Sequence, residues 1–115
     1  MKKRNVLKNN YEFNKIIKDN KPFKYKYLVI YKENIEQKNY HFGLSVGKKI
    51  GNAVVRNKYK RILRDIISKM DYQNNFNCII ILSRGVLNYR YDDISNDIKY
   101  VFKKINILKE ENSEK

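Results

Sequence analysis

Between Asn52 and Met70 the apolar residues Val55, Tyr59, Ile62, Leu63, Ile66 and Met70 recur at helical spacing. At about 100° per residue they gather on one arc. Arg56, Asn57, Lys60, Arg61 and Arg64 fall on the adjoining arc. Such a helix is stable only with its apolar arc laid on another layer, so the rest of the chain has to supply a matching apolar face. The cations are left on the outside.

Their charge is not balanced locally. Arg56 to Arg64 holds five cations in nine residues, and from Gln37 through Arg64 there is no Asp or Glu, whereas Lys38, Lys48, Lys49, Arg56, Lys58, Lys60, Arg61 and Arg64 are all positive. A merely solvated helix intersperses signs so that i,i+4 pairs form. Crowding like charges costs free energy in the free protein, which points to a polyanion as the missing counter-charge. The whole chain, at +14 in 115 residues, makes the same point and places nucleic acid ahead of an anionic membrane. Arg adds a planar fork for phosphate oxygens that Lys lacks.

The length suits one domain with one core. No apolar stretch approaches the roughly 18 residues of a membrane span, and Met1-Lys2-Lys3-Arg4-Asn5 leads into no signal-peptide core, so a soluble, cytoplasmic protein is expected. One cysteine, Cys78, excludes an internal disulfide, and with one histidine, His41, the chain lacks a zinc-ligand set. Cys78 lies in an apolar run and reads as a core thiol; His41 reads as a strand residue without catalytic duty. Asp92, Asp93 and Asp97 suit the positive end of a helix better than a metal-holding carboxylate set.

A first helix is expected over Asn10 to Lys18, with Phe13, Ile16 and Ile17 on one face, and Pro22 marks the exit into extended chain. Tyr25 to Lys32 alternates as one strand, Glu33 to Asn39 turns, and Tyr40 to Val46 returns, so these two strands are expected to pair as an antiparallel hairpin. Gly47 to Asn52 is a loop, with Asn52 as cap of the basic helix over Ala53 to Met70. Cys78 to Ser83 is apolar throughout, as a strand buried on both faces would be. A last helix is expected over Asp92 to Leu108, and 109–115 as a charged, disordered tail. The fold class is therefore α+β, a two-layer sandwich in the order α-β-β-α-β-α, with residues 1–108 as a single domain.

The run from Gly43 to Arg64, Gly-Leu-Ser-Val-Gly-Lys-Lys-Ile-Gly-Asn-Ala-Val-Val-Arg-Asn-Lys-Tyr-Lys-Arg-Ile-Leu-Arg, resembles the strand, loop and Arg-Asn-Arg helix of the bacterial ribonuclease P protein family. Lys2 to Leu7 and Glu12-Phe13 are similar to that family's amino terminus. The resemblance implies a left-handed βαβ crossover through the basic helix, where general rules favour a right-handed one. It also implies a protein that binds a catalytic RNA and precursor tRNA, in a pair that removes the tRNA 5′ leader. The RNA would carry the active site and hold most of the magnesium, and no catalytic residue, DNA or membrane partner is expected of the protein.

By the same resemblance Lys48, Lys49, Arg56, Asn57, Lys58, Lys60, Arg61 and Arg64 face the catalytic RNA and bound precursor, with Asn57 either ordering the helix start or standing beside RNA-bound magnesium. Lys58 replaces the usual third Arg and keeps charge without the bidentate fork. Phe13, Ile17, Tyr31 and Arg84 match leader-binding positions. Periodicity alone would make Phe13 a core residue, Arg84 at the end of the buried strand reads equally as a surface charge, and Ile17 stands where many relatives carry a second aromatic. Two rival readings are a non-enzymatic RNA-binding ribosomal or assembly protein, and a DNA major-groove reader. The second lacks a helix-turn-helix partner before the basic helix.

Overall fold

The computed structural model describes residues 1–7 and 9–109. Three helices, α1 (Asn10–Asp19), α2 (Ala53–Ser68) and α3 (Tyr91–Lys104), accompany four strands, β1 (Phe23–Tyr25), β2 (Leu28–Asn34), β3 (Tyr40–Val46) and β4 (Phe76–Leu82). Short 3₁₀ turns precede α1 at Lys3–Asn5 and α3 at Arg84–Asn88. The strands form one sheet in the order β1-β2-β4-β3. The α+β class stands, and α2 with its flanking strands β3 and β4 makes the parallel crossover.

Two expectations about the strands are corrected. Tyr25 to Lys32 is not one strand: the chain folds back at Lys26 and Tyr27, so that Tyr25 pairs with Leu28. Lys26 adopts a left-handed backbone, φ 53°. Its Nζ lies 3.1 Å from Asp97 Oδ1 on α3, and the neighbouring Tyr27 hydroxyl donates to Asp97 Oδ2 at 2.8 Å, so a buried carboxylate holds the turn. Nor do β2 and β3 form a hairpin. β4 lies between them, antiparallel to β2 and parallel to β3. The connection from Ile35 to Asn39 crosses the start of β4 and is pinned there by Asn75, whose carbonyl accepts from Ile35 N–H at 2.9 Å and whose N–H donates to the Asn39 carbonyl at 2.8 Å.

β4 is central because both of its faces are wanted by other layers. Phe76, Cys78, Ile80 and Leu82 join a core with Leu63, Ile66 and Ile67 of α2 and Ile94, Ile98, Val101 and Phe102 of α3. Cys78 is fully enclosed there, and burial pushes its thiol far above its ordinary range. Ile79 points the other way and is also fully buried, beneath the side of the sheet crossed by α1, whose Ile16 is 2 % exposed. One face of the sheet is thus closed by two long helices. The other carries a single ten-residue helix and stays partly open.

The helix ends follow capping chemistry. Asn9 and Asn52 cap α1 and α2 through side-chain oxygens that accept from Tyr11 N–H and Val55 N–H. Asp93 takes the Arg90 N–H at 3.2 Å, which agrees with a helix start at the Asp92-Asp93 pair. α3 ends at Lys104 rather than running to Leu108, because Asn106 turns left-handed, φ 61°, and sends Leu108 back to bridge Tyr72. Of the tail expected over 109–115, only Lys109 lies within the described residues; its N–H donates to the Asp71 carbonyl at 3.0 Å.

Candidate nucleic-acid interface

The basic helix has the two-sided build read from its spacing. Tyr59, Leu63 and Ile66 are buried, with Ile67 beside them, and Val55, Ile62 and Met70 pack partly buried against the same core. Asn57, Lys58, Arg61 and Arg64 are exposed, whereas Arg56 and Lys60 are half-buried. Among the described residues none of these cations, nor the exposed Lys48 and Lys49, forms an ion pair; the two salt bridges are Lys26 with Asp97 and Lys69 with Asp65. The first acid of the helix, Asp65, is engaged by Lys69 at 3.2 Å and by the Tyr91 hydroxyl, so it neutralises nothing on the Arg56 to Arg64 side. The Tyr91 hydrogen bond, then Lys69, holds its carboxyl below the ordinary range.

The start of α2 adds to this field. Gly51 lets the loop close onto the helix, since a Cβ there would stand 2.9 Å from the Val55 side chain. No acid occupies the first turn, so the positive end of the helix dipole opens beside Lys48 and Lys49. Arg56 Nε is enclosed and has no hydrogen-bond partner among the described residues. Backbone dipole and side-chain charge therefore have the same, positive sign at this end of α2.

The open face of the sheet is organised in rows set by the strand register. Val29, Ile81 and Ser45 are level, then Tyr31, Ile79 and Gly43, then Glu33, Asn77 and His41. Phe13 of α1 lies on the second row: a Cβ on Gly43 would stand 2.8 Å from Phe13 Cε2 and 3.3 Å from Leu7 Cδ2. The missing side chain at Gly43 is what lets the ring settle on the sheet. Phe13, Ile17 and Tyr31 are all half-buried, intermediate between the core position that periodicity gives Phe13 and a free surface ring. Arg84 is exposed just beyond the carboxyl end of β4, the same end of the sheet at which β3 delivers the chain to Lys48 and Lys49.

The candidate residues therefore form two groups. Phe13, Ile17 and Tyr31 share the open face, whereas the α2 cations stand on the helix layer of the opposite face; Lys48, Lys49 and Arg84 lie at the sheet end that joins them. The Glu33, Asn77 and His41 row escaped sequence reasoning. Its one available signal was Asn77, a polar residue directly before the apolar run from Cys78. Among the described residues no three His, Cys, Asp or Glu side chains converge as a metal would require. Among the described residues no helix is long and apolar enough to cross a membrane.

Comparison with known proteins agrees with this geometry over almost the whole chain. The sequence model of the family described as Ribonuclease P matches residues 1–106. The ribonuclease P protein component of Mycoplasma mycoides is 39% identical over 109 residues, covering 91% of this chain and 99% of the relative. That of Streptococcus pyogenes is 36% identical, covering 94% and 92%. The structure of the Staphylococcus aureus RNase P protein superposes with a TM-score of 0.82 at 29% identity, over 91% of this chain and 98% of that one. With the sheet order, the basic helix and the sequence relatives in agreement, the chain belongs to the ribonuclease P protein component family.

Proposed function

We propose that this protein binds the catalytic RNA of ribonuclease P through α2 and the loop before it, binds the 5′ leader of precursor tRNA on the open sheet face, and so promotes magnesium-dependent removal of the leader in the cytoplasm. The observation that carries the reading is the pairing of a helix whose cations from Arg56 to Arg64 form no ion pair among the described residues with half-buried aromatics, Phe13 and Tyr31, on the other layer. Lys48, Lys49, Arg56, Lys58, Lys60, Arg61 and Arg64 neutralise phosphates of two polyanions that would otherwise repel each other. Phe13 and Tyr31 offer faces for bases, worth about 1–3 kcal/mol per stacked base, and Ile17 offers an apolar edge. Arg84 contacts the leader backbone where it passes the end of β4.

Magnesium, when bound, supplies the Lewis acid and activated water of phosphodiester hydrolysis. Asn57, exposed in the second turn of α2 among cations, offers one neutral oxygen, which fits contact with the water shell of an ion that RNA already holds. The protein's share is then positional and electrostatic: it orders the leader and raises the occupancy of sites made by RNA.

The test is cleavage of a leader-bearing precursor tRNA at low magnesium by the protein, by a bacterial ribonuclease P RNA, and by both. Cleavage at the mature 5′ end by the mixture alone is expected. RNA binding without stimulation of cleavage would instead make the chain a plain RNA-binding protein.

A further inference from the structure

The third row of the open face is a hydrogen-bonded chain that neither base stacking nor phosphate neutralisation uses. Asn77 Nδ2 donates to Glu33 Oε1 at 3.1 Å, and Asn77 Oδ1 lies 2.8 Å from His41 Nδ1. An ionised carboxylate only accepts, so the amide is oriented with its oxygen toward His41, whose Nδ1 donates to it. Asn77 is 7% exposed, a buried polar residue in a strand whose next three residues are wholly apolar. Packing alone would place a β-branched apolar residue there.

This row lines an open pocket of about 680 Å³, together with Lys3, Arg4, Leu7 and Glu12. That is the size of a nucleotide site. Leu7 connects it to the Phe13 ring, because both side chains border the space above Gly43. The lining is unlike the rest of a +14 chain, in that carboxylates Glu12, Glu33 and Glu36 outnumber the described cations Lys3 and Arg4. Two cations suffice for one phosphate; half-buried Glu33, held by Asn77, keeps acceptor capacity for a group that donates.

Guanine alone among the four bases presents two adjacent donors on one edge, N1–H and N2–H. Adenine, cytosine and uracil set an acceptor next to their donor, which a carboxylate repels. We infer that this pocket holds a guanine of the leader, next to the nucleotide stacked on Phe13, with Glu33 accepting N1–H and N2–H, Asn77 fixing Glu33 from below, and Lys3 and Arg4 on its phosphate. The inference rests on the leader reading of the open face. It adds a base preference to that face.

The experiment uses the reconstituted holoenzyme and precursor tRNAs whose all-uridine leaders carry one guanosine, adenosine or cytidine at each position in turn, compared by competitive kcat/KM. Guanosine is expected to be preferred about tenfold at one position, the scale of one good bidentate base contact. Glu33→Gln keeps an oxygen for Asn77 but offers the base one acceptor and one donor, which matches the other three bases better than guanine, so the guanosine preference at that position should be lost. Equal rates for all bases, a guanosine preference unchanged in Glu33→Gln, or the same preference with the RNA alone at high magnesium would each overturn the pocket. Phe13→Ala serves as the separate control, because it should lower kcat/KM for every leader alike. If Phe13→Ala and shortening the leader to a single nucleotide both leave kcat/KM unchanged, the leader reading itself fails.

Discussion

Gly43 shows how one absent side chain shapes a surface. A methyl group there would stand 2.8 Å from the Phe13 ring, inside any real carbon contact. Gly43→Ala should therefore push Phe13 off the sheet and cost about 1–3 kcal/mol, the usual range for overpacking, measured by urea unfolding. In a Phe13→Ala background the same substitution has nothing to displace and should cost much less, a coupling that a double-mutant cycle reads directly. Additive losses would show that Gly43 is needed for its backbone rather than for the ring. The sequence carried half of this: Phe13 and Gly43 each stood in a stretch with family resemblance, but their contact joins α1 to a strand thirty residues away in the chain, and no local spacing reports it. Asn77 and His41 were hidden for the same reason, since their partnership follows from β3 and β4 being neighbours.

At the level of elements, periodicity located every helix and the three longer strands, and failed where tertiary contacts decide. The five-residue connection between β2 and β3 suits a hairpin, yet β4 is apolar on both faces and takes the central place, so the connection has to cross over it. Asn75 makes that crossing possible with a left-handed backbone, φ 74°, and a side-chain amide that donates to the Gln37 carbonyl at 2.6 Å. Asn75→Ala should lose both, roughly 1–2 kcal/mol for the backbone and about 1 kcal/mol for the hydrogen bond, whereas Asn75→Gly should lose only the second. Equal losses in thermal unfolding would remove the backbone from the explanation. The turn at Lys26 was invisible for a related reason: Lys-Tyr is no turn signature, and what holds it is Asp97, seventy-one residues on.

The α2–α3 contact yields a pH test. Asp65 has its pKa lowered by the Tyr91 hydrogen bond first and Lys69 second. A carboxyl whose folded pKa is depressed contributes stability above its unfolded pKa and loses it as pH falls through the folded one. Wild type should thus exceed Tyr91→Phe in stability at neutral pH, and this gap should shrink as the pH drops below the ordinary value of 3.8. A gap that stays constant down to the acid transition would assign it to packing of the ring instead. The pair is exposed, so the effect should be small and screened by salt.

On the scale of the whole molecule, a net charge of +14 opposes compaction, and the cations of α2 concentrate the repulsion on one helix. An anion that binds there binds only the folded state, and stabilises it by mass action, about 2.7 kcal/mol at a hundredfold excess over its dissociation constant. Inorganic pyrophosphate, at matched ionic strength against chloride, should therefore raise Tm saturably, by roughly 4 °C per kcal/mol for a domain of this size. Replacing Arg61 and Arg64 together with Ala should have two opposed effects. In low-salt chloride the variant should melt at or above the wild-type temperature, because repulsion has been removed. With pyrophosphate it should gain less, because the site has been weakened, and its RNA affinity should fall less steeply with salt, by a log-log slope of roughly 0.7–0.9 for each phosphate left without its arginine. An equal gain from pyrophosphate in both proteins would place the anion site elsewhere on the surface, and an unchanged salt slope would take these two arginines out of the RNA interface.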